Sequence, residues 1–281
     1  NDLTLAEAAE RYIRDVSAFH KGFEVEKYRL RALVERLGGT KALTSISSSD
    51  VSTAKTERLR GVSSGTVRRE LNLLSSMFET ARNEWGCASI NNPVRKVKRP
   101  PDSEARQRRL SATERNLIIS QSQKTKSSQL HLAIFFALET AMRQGEILKL
   151  RWSNINLDKR TISVTKTKNS TNRIVVISGR LHGVLSSKPA YCDRLFSISS
   201  SGLQQAFRRL CHKLEISDLR FHDLRHEAIS SMFEQGLSVP EVQLMSGHKT
   251  IDQLMRYSHA QIDNIKPKLA RKEKTDYGPI T

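Results

Sequence analysis

Three cysteines in 281 residues, Cys87, Cys192 and Cys211, are too few and too widely spaced for a disulfide framework. They contain no Cys-x-x-Cys pair, so no zinc site is suggested either, and a reducing compartment fits. No apolar run approaches the roughly 18 residues of a membrane helix, and no signal-peptide pattern opens the chain. The expectation is an intracellular, cytoplasmic protein with no membrane partner. Internal repeats and low-complexity tracts are also missing. Acidic side chains are in deficit: 29 Asp and Glu stand against 47 Lys and Arg, a formal charge of +18.

That excess is not a tail. Residues 1–100 carry 18 basic and 12 acidic side chains and the remainder 29 and 17, so both parts are positive. Such a distribution suits a protein that wraps a polyanion with more than one domain, and nucleic acid is the leading partner over a merely soluble basic protein. The length favours two domains, and a hydrophobic fraction of 37% can build their cores.

Leu30, Leu33, Val34 and Leu37 recur at i, i+3, i+4 and i+7, predicting a helix that ends near Gly38-Gly39. Val67, Leu71, Leu74, Phe78 and Ala81 form a second stripe, with Arg68 and Arg69 on its other side. With a helical opening segment from Leu5 to Val16, the first 98 residues read as a small all-helical bundle. From Asn91 to Arg109 the texture becomes Pro-rich and basic, with Arg95, Lys96, Lys98, Arg99, Arg106, Arg108 and Arg109. Residues 99–108 read as an extended basic linker, either a solvated tether or a strap ordered against phosphates.

Residues 109–281 form the second expected domain. Leu132 to Leu138 is apolar on most sides, a buried helix. Thr161–Val164 and Arg173–Ile177 are rich in β-branched residues around a polar turn, so a β-hairpin with a Lys-rich tip is expected, and helical patterns resume from about Ser201. The fold class is therefore mainly α with a small β-sheet.

Four features could carry chemistry. In Thr140-Ala141-Met142-Arg143-Gln144-Gly145-Glu146-Ile147-Leu148, a turn feeds an amphipathic helix expected to continue to Leu150 and Trp152, and Arg143 sits at its start. There its fork of donors can join backbone N–H groups in gripping an anion, although an Arg near a helix end is more often only solvated. In Phe221-His222-Asp223-Leu224-Arg225-His226, His222 and Arg225 share a helix face and can reach one phosphate, or form an ordinary polar face. Ser246-Gly247-His248 is followed by Tyr257, which taken alone reads as a packing residue. Lys166 and Lys168 lie at the hairpin tip.

Together and in this order, Arg, Lys, His-x-x-Arg, Gly-His and Tyr in a basic two-domain chain closely resemble the tyrosine recombinases of the phage integrase family. The resemblance spans essentially the whole chain, including the helical first domain and Asn-Pro-Val ending at Val94. Residues Ala137 to Arg143 and His222 to Ala228 look like those of plasmid shufflon recombinases, which invert DNA segments. The resemblance implies a helical core-binding domain followed by a catalytic domain. It implies Arg143 and Arg225 as phosphate clamps, His222 and His248 as the two histidines, Tyr257 as nucleophile and Lys168 as general acid. Lys168 is selected over Lys166 by its spacing to Arg173.

DNA contacts are expected from Arg68, Arg69, Arg95, Lys96, Lys98, Arg99 and Lys166. The implied reaction passes through a 3′-phosphotyrosine, needs no cofactor and no metal, and yields integration, excision or inversion. Implied too are double-stranded DNA sites, a homotetramer on two of them, a monomer or weak association off DNA, and a bacterial or phage origin beside the nucleoid. Ile262, Ile265 and Leu269 are candidates for docking onto a neighbouring copy. A type IB topoisomerase, or a DNA-binding regulator that lost catalysis, are the competing readings. Two positions depart from the family pattern: Ala141 stands where glycine is usual, and Leu254 where threonine is.

Overall fold

The structure, a computed structural model, describes residues 3–102, 106, 108–125, 128–165, 172–187, 193–255 and 257. The chain divides into two compact units, Asn1–Ala105 and Arg106–Thr281.

The first unit is built from four helices. α1 (Leu5–Asp15) is opened by a capping box in which Thr4 and Glu7 satisfy each other's backbone donors. α2 (Phe23–Leu37) stops at Gly38, whose φ of 83° is the left-handed conformation glycine adopts without strain. α3 (Ser48–Leu59) and the 21-residue α4 (Ser64–Glu84) follow. The predicted stripe of α4 is the centre of the core: Val67, Leu71, Leu74, Phe78 and Ala81 are buried with Leu30, Leu33 and Leu37 of α2.

Among the described residues, the segment after α4 is tied to the first unit as far as Asp102. Asn92 caps a 3₁₀ turn at Pro93–Lys96, and its Nδ2 donates to Ser75 and Glu79. Val97 is buried, Lys55 donates to the Lys98 carbonyl, and Arg68 donates to the Pro100 carbonyl while pairing with Asp102. On the far side of the boundary, the linker arginines find acidic partners within the second unit. Arg106 pairs with Asp218 and Asp223, Arg108 with Glu114, and Arg109 with Glu227 and Glu234.

The second unit places a sheet and helices around one core. α5 (Ala112–Gln123) precedes α6 (Ser128–Thr140), the predicted apolar helix, in which Leu130, Leu132, Ala133, Ile134, Phe136, Ala137 and Leu138 are all buried. α7 (Gln144–Ile147) is far shorter than expected. The chain leaves helix there because Leu150 and Trp152 pair their backbone with Leu195 and Asp193, a non-local ladder around the Arg151–Arg194 bridge. β1 (Ile155–Asn156), β2 (Thr161–Val164) and β3 (Arg173–Val176) form an antiparallel sheet in that order, with Thr161 opposite Val176 and Val164 opposite Arg173. Its hairpin was expected; β1 was not. The hairpin-tip residues Lys166 and Lys168 lie outside the described residues.

α8 (Gly179–Ser186) and α9 (Ser200–Lys213) pack on α6. α10 (Asp223–Glu234) runs through the centre of the unit, buried at Leu224, Ala228, Ile229 and Phe233, with α6 as its main neighbour. α11 (Val239–Ser246) and the single turn α12 (Asp252–Met255) complete the described elements. No helix among the described residues is long and apolar enough to cross a membrane.

Candidate active site

Four local structures bring Arg143, His222, Arg225, His248 and Tyr257 into one region of the second unit: the turn after α6, the first turn of α10, the turn after α11, and Tyr257, two residues past α12.

The first turn is set by Ala141, a fully buried alanine with φ of 53°. A left-handed alanine costs roughly 1–2 kcal/mol, and glycine would avoid that cost. The neighbours hold it there: the Thr140 hydroxyl is hydrogen-bonded to the Phe136 carbonyl and accepts from the Met142 N–H, closing the end of α6. The conformation turns the Ala141 carbonyl towards α10, where it accepts a 2.6 Å bond from Nη1 of Arg225. Two residues on, Arg143 caps α7. Its backbone N–H donates to Glu146 and its Nη2 to the Gly247 carbonyl at 2.9 Å. Its side chain keeps 37% of its surface exposed, so part of the fork faces solvent.

Arg225 is almost fully buried and its Nη2 donates to Nε2 of His248 at 3.2 Å. Burial, reinforced by the positive charge of Arg143, pushes this guanidinium down to about 9. Two guanidinium groups held near each other, one desolvated, form a receptor for a doubly ligated anion. His248 is fixed in turn by Ser246, whose hydroxyl lies 2.7 Å from Nδ1. Gly247, between them, has φ of 66° and closely faces another arginine: a Cβ there would lie 2.6 Å from Nη1 of Arg173. Glycine is required at this position for both reasons.

Arg173 and Glu146 were not foreseen as site residues. Both are buried, and the Arg173 guanidinium meets the Glu146 carboxylate through two bonds of 3.0 and 2.8 Å while Nε donates to the Met245 carbonyl. Glu146 also receives Arg143 at 3.3 Å, so one carboxylate holds two arginines. Burial alone would raise the Glu146 carboxyl. The bonds from Arg173 and the Arg143 backbone, with both positive charges, overcome burial and hold it below its ordinary value. The sequence signal was the i, i+3 spacing of Arg143 and Glu146; nothing local pointed to Arg173, which the sequence supplied only as a spacing marker.

Glu146→Gln removes the only anion of a buried pair, so we expect a loss of about 3 kcal/mol in urea unfolding at pH 7. The carboxylate's contribution is present in full above its unfolded value of 4.5 and is lost as pH falls through its lower value in the fold. The difference between variant and parent should therefore close in acid; an unchanged midpoint at pH 7 would refute this account of the pair.

His222, at the N-cap of α10, is exposed. Its ring stands edge-on to that of His226, with centroids 5.0 Å apart. Tyr257 is half-buried against the core, held by a bond from its N–H to the carbonyl of Leu254, which is itself fully buried. The departure at Leu254 is thus a packing choice that seats the tyrosine turn. The imidazole hydrogen-bonded to the Tyr257 hydroxyl is that of His226, through Nδ1, and the two rings stack at 25°. Sequence reasoning did not single out His226; its adjacency to Arg225 was visible, but the partner lies 31 residues away.

In the first unit, Arg69, Arg95, Lys96 and Lys98 are exposed, Arg95 pairing with Glu79. Arg68 is engaged by Pro100 and Asp102. Arg99 has a buried Nη1 without a hydrogen-bond partner among the described residues, and burial together with the charge of Arg68 lowers its pKa. No cluster of three or more metal-ligating side chains occurs among the described residues.

The sequence model of the phage integrase family matches residues 108–263. The chain belongs to that family. A shufflon-specific DNA recombinase of Escherichia coli is 38% identical over 97% of this chain and 73% of its own length. A putative integrase/recombinase of Haemophilus influenzae is 32% identical over 92% and 87%. Among solved structures, a lambda integrase dimer bound to a core site matches with a TM-score of 0.78 at 18% identity, covering 100% of this chain and 81% of that one. The Tn1549 transposon integrase in complex with a circular intermediate DNA gives 0.79, also at 18%, covering 96% and 99%. At such identity these two establish the fold, mainly helical with a small sheet.

Proposed function

We propose that the protein is a cytoplasmic site-specific DNA recombinase that exchanges strands through a 3′-phosphotyrosine formed on Tyr257. One observation carries this reading: Arg143, Arg225, His222, His248 and Tyr257, spread over 115 positions of sequence, gather in one region of the second unit, with Arg225 bonded to His248 and Tyr257 to His226, whose ring meets that of His222.

The chemistry follows from the geometry. Attack on a phosphodiester builds negative charge on the non-bridging oxygens. Arg143 and Arg225, held in place by Glu146, Gly247 and Ala141, stabilise that charge more than they stabilise the ground state. His248 adds a hydrogen bond, and the departing 5′ oxygen takes a proton from Lys168 acting as general acid. Because a phosphodiester is exchanged for a phosphotyrosine, its bond energy is kept for rejoining. The helical first unit, with Arg69, Arg95, Lys96, Lys98 and the partly unsatisfied Arg99, supplies phosphate contacts, and Lys166 adds one from the hairpin. Such contacts fix register without reading sequence. Assembly as a tetramer on two sites is supported by a lambda integrase tetramer of the same fold bound to a Holliday junction.

The test is covalent trapping. DNA sites are selected by binding from the replicon that encodes the protein, and a duplex nicked beside the scissile phosphate is offered so that the freed end diffuses away. A denaturation-resistant protein–DNA adduct is expected from the unmutated protein. Tight binding at the selected sites without any adduct would sink the recombinase reading in favour of a regulator.

A further inference from the structure

We infer that His226 is a catalytic residue of this site, the group that takes the proton of the Tyr257 hydroxyl as it attacks phosphorus and returns it on rejoining. The inference rests on the recombinase reading above and assigns a role to a side chain that reading left unused.

Three observations converge. Nδ1 of His226 is hydrogen-bonded to the Tyr257 hydroxyl, the atom that must lose a proton. The rings stack at 25° with centroids 5.8 Å apart, which fixes the imidazole relative to the phenol beyond a single hydrogen bond. His226 is half-buried in the second turn position of a helix that is itself buried, whereas His222 is exposed at the helix cap and stands edge-on to His226. A general base must reach its proton directly before its pKa matters, and His226 meets that condition.

The electrostatic surroundings favour the transfer. The groups around the pair are His222 and Arg225 on α10 itself, Arg143 from the turn after α6, His248 from the turn after α11, and the buried Glu146 and Arg173, which act on Arg225. The positive charge of Arg225 lies close enough to interact with Tyr257, so it stabilises a developing phenolate. A phenol with a reference pKa of about 10 is a weak nucleophile at pH 7 unless its proton is removed during attack.

The step balances. In cleavage the Oη–H bond of Tyr257 breaks towards Nδ1 of His226 while the oxygen forms a bond to phosphorus. The bond from phosphorus to the 5′ oxygen breaks, and that oxygen takes its proton from the lysine general acid. In rejoining, the imidazolium returns its proton to Oη as the phosphotyrosine bond breaks, and the incoming 5′ hydroxyl gives its own to the lysine. Nδ1 must be the unprotonated nitrogen at the start, so the reactive tautomer carries its proton on Nε2.

Single-turnover cleavage of the nicked duplex from pH 5.5 to 9.5 tests this, with full-length His226→Phe, which keeps a stacking ring without an acceptor, and His226→Gln, which keeps polarity. For the unmutated protein the rate should rise with pH to a plateau. Both variants should bind DNA normally, cleave about 10² to 10⁴ times more slowly at pH 7, and keep accelerating towards high pH with no plateau. Added free imidazole should restore part of the rate to His226→Gly and none to Tyr257→Phe. Cleavage by both His226 variants within threefold of the parent with an unchanged pH profile would overturn the assignment; so would loss of the plateau in His222→Gln alone. An unmutated protein that forms no adduct would overturn the recombinase reading as well, which separates the two failures.

Discussion

Tyr257→Phe should abolish the covalent protein–DNA adduct while leaving site binding within about twofold. The substitution removes one oxygen and keeps the ring that stacks on His226 and packs against the core. The lost hydrogen bond is expected to cost the fold about 1 kcal/mol, too little to unfold a two-unit chain. The chemical loss has no such floor, because the nearby Ser246 hydroxyl is fully buried and bonded to His248. Denaturing electrophoresis of the nicked duplex measures it, with equilibrium binding as the control. An adduct of undiminished yield from the Phe variant would mean that another residue attacks phosphorus.

Arg225→Gln carries the second large effect. Removing one of two groups that neutralise charge in the transition state should lower the cleavage rate by about 10³ to 10⁵, the range for catalytic arginines in phosphoryl transfer. Stability should respond differently. The Arg225 guanidinium is buried and repelled by Arg143, and its pKa is lowered to about 9. A base whose pKa is depressed on folding penalises the fold wherever it is charged in both states, so the penalty is complete below 9 and lifts only as pH rises beyond it.

At pH 7 the variant sheds that penalty but loses the bonds to Ala141 and His248, and we expect its melting temperature without DNA to stay within a few degrees of the parent. Cleavage within tenfold of the parent would refute the clamp. A collapse in stability would show that Arg225 is structural first.

What could be read without coordinates was whatever depends on local repetition or on a string of rare residue types. The stripe of α4, the apolar α6 and the two strands of the hairpin are periodic signals, and they lie where periodicity put them. Arg143, His222, Arg225, His248 and Tyr257 were legible as an ordered set, and the structure gathers them. Contacts made across long sequence distances were not legible.

The helix expected to start at Arg143 and continue to Trp152 ends at Ile147 because residues 150–152 pair with residues 193–195, an interaction that leaves no trace in the local pattern. The linker arginines read as candidates for phosphate, yet Arg106 and Arg109 answer to carboxylates more than 110 positions away. Ala141 read as a departure from glycine; the backbone adopts the left-handed turn regardless, and the contact it makes to Arg225 is through a carbonyl that every residue possesses.

The cluster formed by Arg143, Arg173 and Arg225 around the single carboxylate of Glu146 has an implication for anyone handling the protein. Glu146 is bonded to Arg143 and Arg173 and only acts on Arg225 through space, so the cleft carries a positive surplus that a small tetrahedral oxyanion can neutralise. On the proposed reading of this cleft as the seat of the DNA phosphate, sulfate and inorganic phosphate should compete for it, and the choice of buffer salt should change cleavage beyond what ionic strength alone dictates.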